Sequence, residues 1–209
     1  MSVPEHGVTG PIVWVDCEMT GLDLTADALI EIAVVVTDST LGTLGEGLDI
    51  IIKPPQAALD QMSDFVRRMH TTSGLLDALD AGLALDEAQR QVMAYVRSHV
   101  PHAGKAPLAG NSVSTDRGFI DRDLPKLGRF LHYRTIDVSS IKELARRWYP
   151  RAYFAAPEKH GGHRALGDIF DSIDELRYYR QALFAESPGP DTDTSRAIAA
   201  QIAETSVRG

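Results

Sequence analysis

The sequence predicts an α/β fold in which one mixed five-stranded sheet is covered by helices on both faces. Two observations about the order of patterns predict it. Three strand-like segments follow one another in the first half of the chain, and helical and strand-like periodicities alternate in the second half. A third observation is the composition, 44% hydrophobic and 24% charged, which is typical of a globular domain with a substantial core.

The first half predicts three antiparallel strands. Residues 12–15 form a short apolar run, residues 29–36 are almost continuously apolar and β-branched, and residues 48–52 end at a Lys-Pro-Pro sequence. The glycine-rich segment 42–47 supplies a turn between the second and third runs. Short connections of this kind join neighbouring strands, so we expect a meander.

The second half predicts alternating helices and strands. An amphipathic helix is indicated by apolar residues at steps of three or four, and Pro101 ends it. Those residues are Leu85, Ala88, Val92 and Val96. We then expect a strand near residues 108–111, a helix over 116–127 and a strand over 133–138. The next helix is expected to be capped by Ser139 or Ser140, with Glu143 near the N3 position.

The last long helix is predicted over residues 163–184, with an apolar stripe along one face. The stripe contains Leu166, Ile169, Phe170, Ile173 and Leu176. We therefore expect a leader over residues 1–10 and a single domain over 11–186. A polar tail follows over 187–209, flexible or a minor packing arm, with weak helical periodicity around 197–203.

Charge and cysteine content narrow the function classes. With 29 acidic and 21 basic residues the net charge is -8, which is unsuited to gripping long nucleic acid through many phosphates. The single cysteine, Cys17, allows no intramolecular disulfide and no multi-cysteine zinc site, as expected in a reducing cytoplasm. There is no secretory signal and no apolar stretch long enough to span a bilayer, so we expect a cytoplasmic protein without a membrane partner.

Two carboxylates stand at the end of the first strand. Asp16 and Glu18 are two residues apart, so they project to the same face, and two like charges held together need a cation. The alternative is a pair of solvated acids where a strand frays. Their position after an apolar run favours a ligand site, because open α/β sheets bind ligands at strand ends.

Further candidates follow at Asp116, Asp168 and His163. Asp116 lies near a predicted helix start, where it could instead stabilise exposed amides, and Asp168 could lie on a solvated helix face. His163 precedes Asp168 by five residues and follows a glycine pair, so the loop can bring an imidazole beside a carboxylate. Four carboxylates with one histidine suit Mg²⁺ or Mn²⁺, and two such ions could support hydrolysis at phosphorus with the histidine as base.

The motifs resemble those of the DEDDh 3'-to-5' exonucleases. They are Asp16-Cys17-Glu18-Met19-Thr20-Gly21-Leu22, then Gly110-Asn111-Ser112 with Asp116-Arg117, and His163-Arg164-Ala165 leading to Asp168. Longer signatures are similar to the oligoribonuclease family in particular: His132-Tyr133-Arg134, Ile136-Asp137-Val138-Ser139, and Lys142-Glu143-Leu144-Ala145-Arg146-Arg147-Trp148. The resemblance covers residues 11–184 and implies the RNase H-like fold.

The resemblance assigns roles to the catalytic candidates. It implies that Asp16, Glu18, Asp116 and Asp168 bind two Mg²⁺ or Mn²⁺ ions and that His163 is the general base. It further implies a homodimeric exoribonuclease that cleaves very short RNA, above all 5'-phosphorylated dinucleotides, to nucleoside 5'-monophosphates. Linear dinucleotides from cyclic dinucleotide turnover are expected substrates too.

The resemblance also implies a substrate pocket. Leu22 would wedge between two bases and Phe65 would stack on one, although a loop leucine and a core phenylalanine are the alternatives. Ser112 and His70 would contact the 5'-phosphate. They would be joined by Tyr133 and Arg134 of the partner subunit, which otherwise suit an exposed strand start.

Two residues and two functions stay open at this point. Arg67 and Arg68 lie between Phe65 and His70 and have no assigned role beyond a solvated helix face. An exonuclease acting on longer single strands is the first functional alternative. A non-catalytic nucleotide-binding module is the second, disfavoured because a binder has no need of both the base and the carboxylates.

Overall fold

The computed structural model describes residues 9–160 and 162–205. Most of the expected leader, residues 1–10, and the last four residues of the expected tail, 187–209, lie outside the described residues. One mixed five-stranded sheet forms the centre, in the order β3-β2-β1-β4-β5. The predicted α/β class with a single mixed sheet is confirmed.

The antiparallel half of the sheet is built from β1 (Ile12–Met19), β2 (Leu29–Thr37) and β3 (Leu48–Ile51). β2 pairs antiparallel with both of its neighbours, as the meander predicts. β1 is longer than its apolar run because Asp16 and Glu18 remain in the ladder, opposite Ala33 and Glu31 of β2. β2 is buried along its whole length, which agrees with its nearly continuous apolar sequence.

The parallel half contains β4 (Leu108–Gly110) and β5 (Thr135–Asp137). β4 pairs parallel with β1, and β5 pairs parallel with β4. The carboxyl ends of β1, β4 and β5 therefore meet at one edge of the sheet. β5 is shorter than the strand expected over 133–138, since Tyr133 and Arg134 precede the ladder and Val138 begins the next helix.

Helices cover both faces of the sheet. On one face lie α4 (Leu85–His99), α5 (Ser114–Asp123) and α6 (Pro125–Phe130), whose apolar side chains form one buried cluster with β1 and β2. On the other face lie α7 (Val138–Trp148) and α9 (Ala165–Leu183), which pack on Trp14 and its neighbours. Among the described residues, no helix is long and apolar enough to cross a membrane.

Short helices complete the chain. α1 (Gln56–Asp60), α2 (Asp64–Thr72) and α3 (Leu75–Ala78) connect β3 to α4, and a 3-10 turn, Leu79–Ala81, follows α3. α8 (Pro150–Phe154) follows α7. The polar segment after α9 contains α10 (Thr192–Thr205), in which no residue is buried.

Three local expectations were wrong. The helix expected over 116–127 is two helices, because Pro125 cannot continue α5 and begins α6 instead. α7 is capped neither by Ser139 nor by Ser140, since the Asp137 carboxylate accepts a hydrogen bond from the Ser139 amide. Phe170 is not part of the buried stripe of α9, because its side chain is exposed.

Candidate active site

The end of β1 carries the first two predicted carboxylates. Asp16 and Glu18 lie on the α9 side of the sheet, whereas Cys17 points into the core on the opposite face. Burial and the neighbouring acids, Asp116 foremost, raise the pKa of Asp16 to about 9. Burial and Asp168 raise the pKa of Glu18 to about 8. Each carboxylate is therefore costly to ionise without a cation.

Asp116 reaches the same strand end from α5. It lies in the first turn of that helix, and its Oδ1 accepts a hydrogen bond of 3.0 Å from the Cys17 amide. Burial raises the pKa of Asp116 to about 6. Its fixed position beside β1 follows from the parallel pairing of β1 and β4, because β4 leads directly into α5.

Asp168 and His163 come from the start of α9. Candidate ligand atoms of Glu18, His163 and Asp168 lie within 4.8 Å of one another. Burial raises the pKa of Asp168, and the nearby His163 opposes that shift. His163 is exposed and has a left-handed backbone, with φ of 61°, so α9 begins at Ala165 rather than at the predicted residue 163.

The donor set fits a hard divalent cation. We call Asp16, Glu18, Asp116 and Asp168 the carboxylate cluster; the other three acids all raise the pKa of Asp16. Oxygen donors of this kind match the preference of Mg²⁺ and Mn²⁺. A cation would also remove the mutual repulsion that raises these pKa values. The sequence thus predicted residues that the fold brings to one place from three separate elements.

Glu31, Arg164 and Asp49 border the cluster and were missed by sequence reasoning. Glu31 is fully buried opposite Glu18 in the β1–β2 ladder. The Arg164 guanidinium forms an ion pair of 2.7 Å with Glu31 and lies 3.6 Å from Asp49. A single Glu inside an otherwise apolar strand was the available signal, because a charge in such a strand needs a partner.

Ser112 lies in a hydrogen-bonded corner at the end of β4. Its amide donates to Asp137 Oδ1 at 3.1 Å and to Ser139 Oγ at 3.0 Å, and its hydroxyl is 3.2 Å from Ser139 Oγ. Ser139 Oγ in turn donates to Asn111 Oδ1 at 2.9 Å. Ser139, for which only a capping role was predicted from the sequence, is thus the neighbour that orients Ser112.

Leu22 and Phe65 are both exposed to solvent. They are 73% and 69% accessible, so the core-packing alternative for Phe65 was wrong. Phe65, Met69 and Thr72 of α2 line a cavity of about 280 Å³ whose other wall includes His163. Arg68 lines the same cavity, whereas the Arg67 guanidinium donates to the Leu59 carbonyl at 2.6 Å.

His70 does not have the placement expected of a phosphate contact. Its side chain is completely buried, with Nε2 2.9 Å from the Met19 carbonyl and Nδ1 3.9 Å from Glu18 Oε2. Burial lowers the pKa of His70. Because the ring is completely buried, a phosphate has no access to it. The ring instead supports the end of β1 through its contact with the Met19 carbonyl.

Tyr133 and Arg134 lie on the surface before β5. Tyr133 is 76% accessible and stacks on His132, with ring centroids 4.4 Å apart. The Arg134 guanidinium lies over the Tyr133 ring, 5.4 Å from its centroid. These side chains form an aromatic and cationic surface, and within the described residues no hydrogen bond or ion pair joins it to the carboxylate cluster of the same chain.

Comparison with known proteins decides the family. The RNase T exonuclease family model matches residues 13–176. The oligoribonuclease of Streptomyces coelicolor is 66% identical over 190 residues, which cover 91% of this chain and 95% of that protein. The oligoribonuclease of Cutibacterium acnes is 61% identical, covering 91% of this chain and 94% of that protein. The chain belongs to the oligoribonuclease family of exonucleases.

Membership of the oligoribonuclease family makes the protein a 3'-to-5' exonuclease, a hydrolase in a family for which metal dependence is typical. Solved structures agree on the fold. A zinc-bound exonuclease I of E. coli with single-stranded DNA superposes with a TM-score of 0.64 at 14% identity, covering 84% of this chain. This chain spans only 41% of that longer protein. The likeness confirms the predicted RNase H-like fold.

Proposed function

We propose that the protein is an exoribonuclease that removes nucleotides from the 3' end of very short RNAs, chiefly 5'-phosphorylated dinucleotides. The products are nucleoside 5'-monophosphates. One observation carries the proposal: four carboxylates and His163 converge at one strand end in a member of the oligoribonuclease family. Short RNAs, including linear dinucleotides from cyclic dinucleotide turnover, are cytoplasmic substrates, so we propose a cytoplasmic location.

The cofactors we propose are two Mg²⁺ or Mn²⁺ ions held by Asp16, Glu18, Asp116 and Asp168. The pKa of Asp16 at about 9 and that of Glu18 at about 8 support this, because both carboxylates need positive charge to ionise at neutral pH. When bound, such ions lower the pKa of a coordinated water and neutralise charge on the phosphate.

His163 is the general base of the proposed reaction. Its ring is exposed to solvent yet within 4.8 Å of ligand atoms of Glu18 and Asp168, so it can accept the proton of an attacking water. The water oxygen bonds to phosphorus as the bond from phosphorus to the 3' oxygen of the preceding nucleotide breaks. That oxygen leaves with a proton, which gives a nucleoside 5'-monophosphate and a chain shorter by one residue.

Substrate length would be set by contacts on either side of the cluster. Leu22 and Phe65 present exposed apolar surface, on which two bases can wedge and stack. The Ser112 hydroxyl, 3.2 Å from Ser139 Oγ, would turn from Ser139 to donate to a terminal phosphate. A phosphate bound there would close the site after two nucleotides, which also suits a net charge of -8.

A homodimer would complete the phosphate contact. Tyr133 is exposed with Arg134 over its ring, and within the described chain neither side chain forms a hydrogen bond or ion pair with its own cluster, so we assign both to the active site of the partner subunit. Exposed apolar side chains on α7 and α8, namely Leu144, Trp148 and Phe154, supply surface for dimerisation. An arginine makes bidentate contacts with a terminal phosphate, so Arg134 of the partner subunit would strengthen the binding of that phosphate.

Product analysis of a 5'-phosphorylated RNA ladder tests the proposal. RNAs of two to seven nucleotides are incubated with enzyme in chelator, in Mg²⁺ and in Mn²⁺, and the products are separated by chromatography. We expect metal-dependent release of 5'-monophosphates with a sharp maximum of kcat/KM at two nucleotides. Equal cleavage of all lengths would instead indicate an exonuclease for longer strands, and binding without cleavage would indicate a nucleotide-binding module.

Matched variants tie the activity to the site and to the dimer. Asp116→Ala should abolish cleavage, whereas Asp121→Ala, which removes a surface carboxylate of the same helix paired with Arg117, should not. Mixed dimers of Asp116→Ala with Arg134→Ala chains should recover activity, because one of the two sites then has both groups intact. No recovery in mixed dimers would refute the shared site.

A further inference from the structure

Glu31 is a fully buried carboxylate beside the cluster that the proposed reaction does not use. It lies near the end of the antiparallel pair β1–β2, directly opposite Glu18 and next to the register shift between Glu18 and Met19. Like charges at directly opposed positions destabilise a sheet, so Glu31 must be stabilised by other contacts. The contacts of Glu31 supply this stabilisation, since both of its oxygens face the beginning of α9.

Three donors converge on the Glu31 carboxylate. Arg164 Nε donates to Oε1 at 2.8 Å, and Arg164 Nη2 lies 2.7 Å from the same oxygen. The Ala165 amide donates to Oε2 at 3.1 Å. Ala165 is the first residue of α9, and the helix has no cap from the side chain of its own N-cap residue, Arg164. Glu31 therefore caps α9 from another strand.

The segment before α9 needs such an anchor. Gly162 and His163 both have left-handed backbones, with φ of 66° and 61°. A non-glycine residue in that conformation costs about 1 to 2 kcal/mol and persists only where surrounding contacts hold it. We call residues 162–164 the His163 turn. Three residues before the turn, Lys159 pairs with Glu175 of α9 at 3.0 Å.

We propose that Glu31 is a positioning residue that, through Arg164 and the Ala165 amide, fixes the His163 turn in the geometry that general-base catalysis needs. The inference rests on the proposed function, in which His163 is the base. Glu31 itself is not a metal ligand in this arrangement, because its two oxygens are taken up by donors of the turn. Asp49 Oδ2 lies 3.6 Å from the same Nη2 atom of Arg164, so a second carboxylate helps to hold the guanidinium.

Amide hydrogen exchange on the full-length protein tests the structural half. In Glu31→Gln one carboxylate oxygen becomes a donor, so the Ala165 amide and the first turn of α9 should exchange at least about tenfold faster. Asp174→Asn is the matched control, since it removes an exposed Arg177 pair of 2.7 Å further along the same helix. That control should leave the exchange of residues 162–168 unchanged.

Steady-state kinetics on a dinucleotide test the catalytic half. At a temperature where the variant is fully folded, kcat of Glu31→Gln should fall about 10- to 100-fold, as a small misplacement of a reacting group does. KM should change less than about twofold, because Leu22 and Phe65, which we propose to contact the nucleobases, receive no hydrogen bond from Glu31 or Arg164 in the described part of the chain. Arg164→Lys, which keeps the charge but offers fewer hydrogen bonds, should retain more kcat than Arg164→Ala.

Several outcomes would overturn the inference. Unchanged exchange at residues 162–168 would do so, as would faster exchange spread over β1 and β2, which indicates a general loss of stability. Faster exchange in the turn with an unchanged kcat would also refute it. If Glu31→Gln fails to fold, Arg164→Ala is decisive, since the Arg164 side chain is 38% accessible. Hydrogen exchange does not depend on catalysis. It therefore tests the anchoring of the His163 turn even if the proposed function is wrong.

Discussion

Replacing Asp16 with Asn should stabilise the metal-free protein while abolishing its activity. The folded state raises the pKa of the Asp16 carboxyl from 3.8 to about 9, through burial and the repulsion of Asp116, Glu18 and Asp168. The folded protein therefore retains a proton that the unfolded chain releases above pH 3.8. Because the native state binds more protons, the free energy of unfolding falls as the pH rises from about 4 towards 9. An asparagine cannot titrate, so the variant escapes this loss.

The magnitude follows from the shift. A pH of 7 lies about 3 units above the pKa of Asp16 in the unfolded chain. Each unit lowers the free energy of unfolding by about 1.4 kcal/mol. The free energy of unfolding of Asp16→Asn should thus exceed that of wild type by up to about 4 kcal/mol at pH 7 and by less than half of that at pH 5. Divalent metal should reverse the order, because ligands that bind only the folded state stabilise wild type more than a variant lacking one carboxylate.

Urea unfolding at pH 5 and pH 7, in chelator and in Mg²⁺, measures these differences. Asp174→Asn serves as the control, because an exposed ion pair should change stability by no more than about 1 kcal/mol, with little dependence on pH. The reasoning is refuted if Asp16→Asn is less stable than wild type in chelator at both pH values. The carboxylate would then stabilise the fold instead of straining it.

Three further outcomes are expected. His163→Ala should lower kcat by at least about 100-fold on a dinucleotide while circular dichroism stays native, and a smaller loss would exclude the residue as base. Phe65→Ala should raise KM by about 5- to 100-fold, as truncation of a stacking ring does, and Phe65→Trp should not; competition binding with a dinucleotide checks both. Thr37→Val should cost about 1 to 3 kcal/mol in urea unfolding, because the buried indole N–H of Trp14 loses its acceptor at 3.0 Å.

Sequence periodicity was sufficient for the sheet and for one part of the site. A period of two placed Asp16 and Glu18 on one face and Cys17 on the other, as the structure has them. The convergence of Asp116 and Asp168 on that strand is not local. It depends on the parallel pairing of β4 with β1 and on the packing of α9, and it was predicted from the positions of these acids along the chain together with the resemblance of motifs.

What sequence reasoning missed depends on tertiary partners. Glu31 interrupts an apolar strand, and its donors lie more than 130 residues away, so nothing local reveals them. His70 was expected to contact a phosphate because the family resemblance implied it, but the burial of His70 depends on how α2 packs against β1. Pro125 was the exception, since its effect on the helix is local and could have been read from the sequence.

The position of α9 in the chain bears on when the enzyme becomes able to cut RNA. α9 packs on β1, β2 and β4, and it brings Asp168 and His163 to carboxylates that precede them by about 150 residues. Synthesis proceeds from the N terminus, so β1 leaves the ribosome long before α9 does. The proposed metal site therefore stays open throughout translation. The proposed active site is therefore complete only after α9 has docked on the sheet, late in folding.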